Sequence, residues 1–287
     1  MKIQFKASFC SVALVFASQV SAATWELIGT PTAGVSAINA YANTGSTVDD
    51  ASSSANNGAS QTIQAAQWVG SYAGYGGVTN AECTSGLSCD QNEGGNPEHA
   101  MDNNQRYDMV LVSFDSLVQL TSLELSWYKY DSDYTVMAYT GSGNPTDTMS
   151  AASIVGKTFT SSMAGWTVIG SYDGDSYNGE KSGEFNRGIT YTPANANVYS
   201  SYWLIGAYNP LVGGPTVGNP NMGTGELNYY QTAVKSNTGY DYIKLSSVSG
   251  NVCTTGCGSN DNKIPEPGSL ALMGIGLVGL LRLRKRR

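Results

Sequence analysis

Short apolar runs, bounded by clusters of Gly, Asn, Asp, Ser and Pro, recur along most of this chain. "TWELI" and "VSAINAYA" come early, and "YTVMAYTG", "GWTVIGSY", "YWLIGAYN" and "YDYIKLSSV" come later. Between residues 108 and 127, "DMVLVSFD" and "LVQLTSLELSW" follow one another with only Ser116 between them. In the second of these, Leu123, Leu125 and Trp127 alternate with Ser122, Glu124 and Ser126. That period of two places the apolar set on one face of a half-buried strand, with Glu124 toward solvent. Stretches such as "DSD", "GSGNP" and "YDGDSYNGE" lie between the runs and read as turns. Residues 44–60 are small and polar and predict a mobile segment, and residues 211–225 predict a long exposed loop or hinge. A short helix is expected near residues 147–156. The chain shows no heptads, no repeat of 20–50 residues and no long amphipathic helix. Many short strands at modest spacing predict an all-β fold, a single β-sandwich or jelly-roll-like domain.

The two ends depart from this pattern. Residues 1–22 run from a positive start (Lys2, Lys6) through an apolar stretch to Val20-Ser21-Ala22, the order of a cleavable secretory signal. The stretch is too short for the ~20 residues that span a bilayer, so cleavage after Ala22 is expected. At the other end, 14 uncharged residues run from Gly268 to Leu281. As a helix they reach ~21 Å at ~1.5 Å per residue, short of the ~30 Å hydrocarbon core. Arg282, Arg284, Lys285, Arg286 and Arg287 follow and would hold this end on the cytoplasmic side. Gly274, Gly276 and Gly279 weaken the helix, which suits a temporary stop in the inner membrane better than a permanent anchor. Pro265-Glu266-Pro267 precedes it and stays extended, because proline fixes φ and disfavours helix before it. The domains are thus a signal (1–22), a β-sandwich-like extracellular body (23–263) and a tail (264–287), its apolar helix at 268–283 and basic end at 282–287.

Pro-Glu-Pro, a glycine-rich apolar helix and an arginine-rich end, in that order, resemble the PEP-CTERM sorting signal. The resemblance implies recognition by exosortase, a membrane-embedded transpeptidase-like enzyme of Gram-negative bacteria. It also implies processing near Pro265–Pro267 and delivery to the cell surface or extracellular matrix, after signal peptidase and a transient stay in the inner membrane.

Charge narrows the partners. The signal holds two of the 15 basic residues and the tail five; of the 22 acidic residues only Glu266 lies in the tail. The body is left with eight basic against 21 acidic residues, a net charge of −13, which excludes phosphate-driven nucleic-acid binding. Four cysteines remain once Cys10 leaves with the signal: Cys83, Cys89, Cys253 and Cys257. An even number in an exported chain predicts disulfides. Three pairings are open, of which the local pairs Cys83–Cys89 and Cys253–Cys257 are expected, each stapling a polar loop. The Cys-x5-Cys and Cys-x3-Cys spacings do not match a zinc site.

Candidate chemistry in the body is sparse. His99, the single histidine, lies near Asp102, Arg106 and Asp108, an arrangement that could serve acid–base work. No nucleophile elbow accompanies it, so these side chains are read as hydrogen-bonding the loop that enters the strand at Asp108, and no catalytic residue is assigned. Asp131-Ser132-Asp133 and Asp173-Gly174-Asp175 offer oxygen ligands in turns, but turn-forming Asp is common at strand ends without a metal, so no cofactor is assigned and a structural calcium ion is the alternative. Trp68, Tyr72 and Tyr75, or Tyr128, Tyr130 and Tyr134, could form a platform for sugar rings, the first trio being the candidate carbohydrate-binding set. Trp127, Trp166 and Trp203 sit in strand patterns and are expected in the core.

"HAMDN", "D-MVLVSFD", "L-LSW", "DSDYTVMAYTG" and "YWLIGAYN" resemble the exosortase-dependent surface protein family across about residues 25–250. That resemblance implies an envelope or matrix role, no established activity, and a shared architectural part for His99, Asp102 and Asn103. The expectation is a non-enzymatic protein of the surface or matrix, associated with exopolysaccharide in a biofilm. The alternatives are a secreted polysaccharide hydrolase or lyase, drawing two carboxylates from Asp102, Asp108, Asp131 and Asp133, or a calcium-stabilised carbohydrate-binding module.

Overall fold

The structure is a computed structural model that describes residues 19–45, 61–72, 75–79, 99–103, 106–220, 240–255 and 257. The described residues form twelve strands. They are β1 (Gln19–Glu26), β2 (Val35–Gly45), β3 (Thr62–Tyr72), β4 (Tyr75–Thr79), β5 (Met101–Asp102) and β6 (Asp108–Tyr130). Then follow β7 (Tyr134–Tyr139), β8 (Trp166–Tyr172), β9 (Tyr177–Gly188), β10 (Ser200–Ala207), β11 (Thr216–Val217) and β12 (Asp241–Thr255). One 3-10 turn, Pro210–Val212, is the sole helical element among them. The all-β expectation holds.

The two adjacent runs merge into the 23 residues of β6, and this strand organises the domain. Its first half pairs antiparallel with β2 on one side and β10 on the other. Its second half pairs with β12 and β9. The sheet continues from β10 through β7 and β8 to the short β11, and from β12 to β1. A strand shared in this way folds one sheet back on itself, so a sandwich-like core forms between its two halves.

Near its start β6 runs apolar without alternation from Met109 to Val112, because both its faces are buried there. Val110 and Val112 point into the main core with Leu123, Leu125, Val136, Trp203, Ile205, Ile243 and Leu245. Met109 and Leu111 point the other way, against Ile154, Phe159 and Met163 of the β7–β8 connection. Trp203 is fully buried, and its indole N–H donates to the carbonyls of Val118 and Ser200. Trp127 and Trp166 are buried too, as expected.

The alternation expected along the second half of β6 breaks at Ser126. Leu125 pairs with Leu245 and Trp127 with the next residue back, Lys244, so Ser126 is an extra residue. A bulge of one residue moves everything after it to the opposite face. Trp127 therefore leaves the face of Leu123 and Leu125 and packs with Ala100, Tyr240 and Tyr242, while Tyr128 takes its place in the main core. Glu124 is half-buried rather than solvent-facing, and the Ser246 hydroxyl donates to its Oε1 at 3.1 Å.

No helix forms at residues 147–156. The backbone makes separate four-residue turns, with Ser150 N–H donating to Asp147 O and Ser153 N–H to Ser150 O. The side chains of Asn144, Asp147, Ser150 and Ser153 each accept from the amide two residues on. Such local bonds compete with helical ones at four points in ten residues, and the turns win. The loop expected at 211–225 is partly ordered into the sheet: Val212 is fully buried and β11 pairs parallel with β8. Thr44 and Gly45 belong to β2, and the rest of the segment expected to be mobile lies outside the described residues.

Candidate functional site

The densest group of chemistry-bearing side chains is where β6 ends and β12 begins. β6 stops in a γ-turn: Tyr130 takes a φ of 62° and the Asp131 amide donates to the carbonyl of Lys129 at 2.8 Å. A non-glycine residue there carries strain, which the surrounding structure must hold in place. The turn brings Asp131 beside the first residue of β12, with which it forms a parallel bridge. Two residues on, the Asp133 amide donates to Asp241 Oδ1 at 2.9 Å. Carboxylate oxygens of Asp131, Asp133 and Asp241 thus come within 4.8 Å of one another. All three residues are fully buried.

Neutral donors hold the cluster. Asp131 Oδ1 accepts from the Ser132 amide at 2.8 Å and Asp133 Oδ1 from the Gly174 amide at 2.6 Å. Asn103 clamps Asp241 from both ends, donating to its Oδ2 and accepting from its amide at 3.0 Å. The same carboxamide donates to the carbonyl of Tyr208 at 3.0 Å. Asp131 Oδ2 is buried and has no hydrogen-bond partner. Gly174 must be glycine, since a Cβ there would meet the Ser132 carbonyl oxygen at 2.3 Å. Burial raises the carboxyl of Asp131 from the usual carboxylate range to about 7, with the charge of Asp133 adding to the effect. Burial, then Asp133 and Asp131, raise Asp241 as well. Three ionised carboxylates so close, out of water, repel one another strongly, so the cluster favours taking up a proton or a cation.

The sequence pointed to Asp131 and Asp133 but missed Asp241. It lies 108 positions from Asp133 in a strand that reads as ordinary, and only the pairing of β6 with β12 joins them. The second acidic turn is arranged differently. Asp173 and Asp175 are exposed, and Asp175 pairs with Arg187 at 3.0 Å. The Arg187 guanidinium also donates to the Ser132 hydroxyl at 3.2 Å, tying that turn to the cluster.

His99 sits just before β5 with a φ of 58°, half-buried. Asp102, Arg106 and Asp108 are buried. Trp68 is half-buried against the main core, with its ring over Gly76, whose added Cβ would meet it at 2.5 Å. Tyr72 and Tyr75 are register partners in the backbone pairing of β3 with β4. In the other aromatic trio Tyr128 and Tyr134 are buried, leaving Tyr130 exposed, so that trio forms no surface platform. Cys253 and Cys257 are joined in a disulfide at the end of β12; Cys83 and Cys89 lie outside the described residues. Ala22 is exposed within β1, opposite Asn251, so cleavage after it would leave Ala23–Glu26 of that strand. Pro265, Glu266, Pro267 and the basic end, Arg282, Arg284, Lys285, Arg286 and Arg287, lie outside the described residues. No helix among the described residues is long and apolar enough to cross a membrane.

A strand-built body with a stapled end, followed by a proline-flanked apolar and basic tail, defines the class as a sorted, exported β protein. The family model of the PEP-CTERM protein-sorting motif matches residues 263–287. The chain therefore carries that motif, which marks it for export, exosortase recognition and targeting to the cell surface of a Gram-negative bacterium. No curated protein and no solved structure matches the chain.

Proposed function

We propose that the body is a non-enzymatic component of the cell surface or extracellular matrix, released from its membrane stop by exosortase and associated with exopolysaccharide. The sorting motif at 263–287 carries this reading. On this reading exosortase acts while the apolar run holds the chain, and the prolines of Pro265-Glu266-Pro267 disfavour helix in the segment ahead of it. The burial of the rival's carboxylates supports the non-enzymatic part. A glycosidase needs two carboxyls facing a sugar across ~5–10 Å, yet Asp102, Asp108, Asp131 and Asp133 are at most 3 % exposed. A polysaccharide chain does not reach them there.

The test is replacement of Pro265-Glu266-Pro267 by three alanines in the native host. Apolar length and basic end are unchanged, so membrane retention persists, while the helix can now extend outward and hide the processed segment. The variant is expected to accumulate in the inner membrane with its tail intact, whereas the unmodified chain loses the residues after the motif. Fractionation and intact mass read both outcomes, and equal processing of the two chains would refute the sorting claim. Separately, degradation of the host's exopolysaccharide by the purified protein, abolished by His99→Ala, would establish the enzymatic reading instead.

A further inference from the structure

We propose that Asp131, Asp133 and Asp241 bind one calcium ion, which ties the end of β6 to the start of β12. Two ligands of one calcium ion, each at 2.3–2.6 Å, are at most ~5 Å apart. The three carboxylates meet that limit, since their nearest oxygens all lie within 4.8 Å of one another. An acidic cluster alone would not suffice. The independent observation is Asp131 Oδ2, a fully buried carboxylate oxygen in this cluster with no hydrogen-bond partner. An orphaned buried acceptor of this kind bears its full desolvation penalty unless something occupies it.

The donor chemistry selects the ion. All ligands are hard oxygens, with neither thiolate nor imidazole in the cluster, which disfavours zinc. Magnesium demands near-ideal octahedral geometry at ~2.1 Å and keeps several waters. Calcium accepts irregular sets of 6–8 oxygens, so carboxylates binding through one or two oxygens, with water, complete the shell. The cluster also has a supporting layer. Asn103 fixes Asp241, the Gly174 amide fixes Asp133, and the Ser132 amide fixes Asp131. A cytoplasm poor in free calcium would leave the carboxylates to repel, and an exterior rich in it would lock the two strands together. Calcium binding would then couple full stability of the body to its arrival outside the cell.

The experiment uses the full chain, purified in mild detergent, stripped with EDTA and dialysed free of metal. Equilibrium dialysis with calcium chloride is expected to give one saturable ion per chain, with the melting temperature rising at each tenfold increase in free calcium. Asp131→Asn and Asp241→Asn are expected to abolish saturable binding and the rise in melting temperature. Both keep an acceptor oxygen and remove a buried like charge, so the metal-free variants should fold. Asn103→Ala is expected to weaken binding about 10–100-fold, as loss of a group that orients a ligand does. Asp175→Asn, in the neighbouring turn, should bind as the unmodified chain does. No saturable calcium, an undiminished response in Asp131→Asn, or magnesium binding as tightly as calcium would each overturn the proposal.

Discussion

Asn103→Ala tests the architecture around the aspartates more sharply than any core truncation. The carboxamide is fully buried and makes three hydrogen bonds, to the Asp241 carboxylate, from the Asp241 amide and to the Tyr208 carbonyl. A bond to a charged group contributes about 1.5–3 kcal/mol and one between neutral groups about 0.5–1.5. Together these give roughly 4 kcal/mol, lowered if water enters the space left. In a domain of this size each kcal/mol moves the melting temperature by about 2–4 °C, so a fall of about 10 °C is expected. Asn195 serves as the internal control. It is also buried and makes three bonds, to the Ile169 carbonyl and from the amide and hydroxyl of Thr192, all neutral. Its alanine variant should lose about 2–3 kcal/mol by the same per-bond values, with no dependence on calcium. Urea unfolding of the full chain, with EDTA and with calcium chloride, reads both losses as midpoint shifts at constant slope. An Asn103→Ala loss within about 1 kcal/mol of zero would refute the reasoning, because three buried partners cannot be orphaned so cheaply.

Leu125→Asp and Glu124→Lys should separate widely: the first buries an unpaired charge in the main core and should prevent stable folding. The second removes an acceptor of the Ser246 hydroxyl and should cost about 1 kcal/mol; equal thermal shifts would show that the strand phase is wrong. Burial raises the phenols of Tyr134, Tyr172 and Tyr191, Tyr172 to about 12. The unfolded chain loses these protons first, near pH 10, so the folded state binds more protons above that pH and stability falls from pH 10 toward 12. The contribution is complete below pH 10, and Tyr172→Phe should flatten the decline; pH-dependent urea midpoints check it. Thiol titration of the oxidised, exported protein should find Cys253 and Cys257 blocked, and detection of both as free thiols would contradict the disulfide.

The class of fold and the destination of the chain were legible from local signals. Runs that alternate with a period of two, bounded by turn-formers, specify strands wherever the backbone places them, and "DMVLVSFD" already read as a strand. The tail was legible for the same reason, since Pro-Glu-Pro, the apolar run and the five basic residues are contiguous and each acts through its own chemistry. Tertiary structure decided the rest. Trp127 changed face because of one extra residue at Ser126, which follows from register against Lys244 and Leu245 in β12, not from the spacing of leucines. Residues 147–156 took turns because their own Asp and Ser side chains bond the amides that a helix would need. The aspartate cluster needed both kinds of information. Asp131 and Asp133 stand out in sequence, but Asp241 joins them only when β6 and β12 pair, and Asn103 clamps it from a third segment. Contacts across more than a hundred residues are fixed by which strands lie side by side, and no local pattern records that choice.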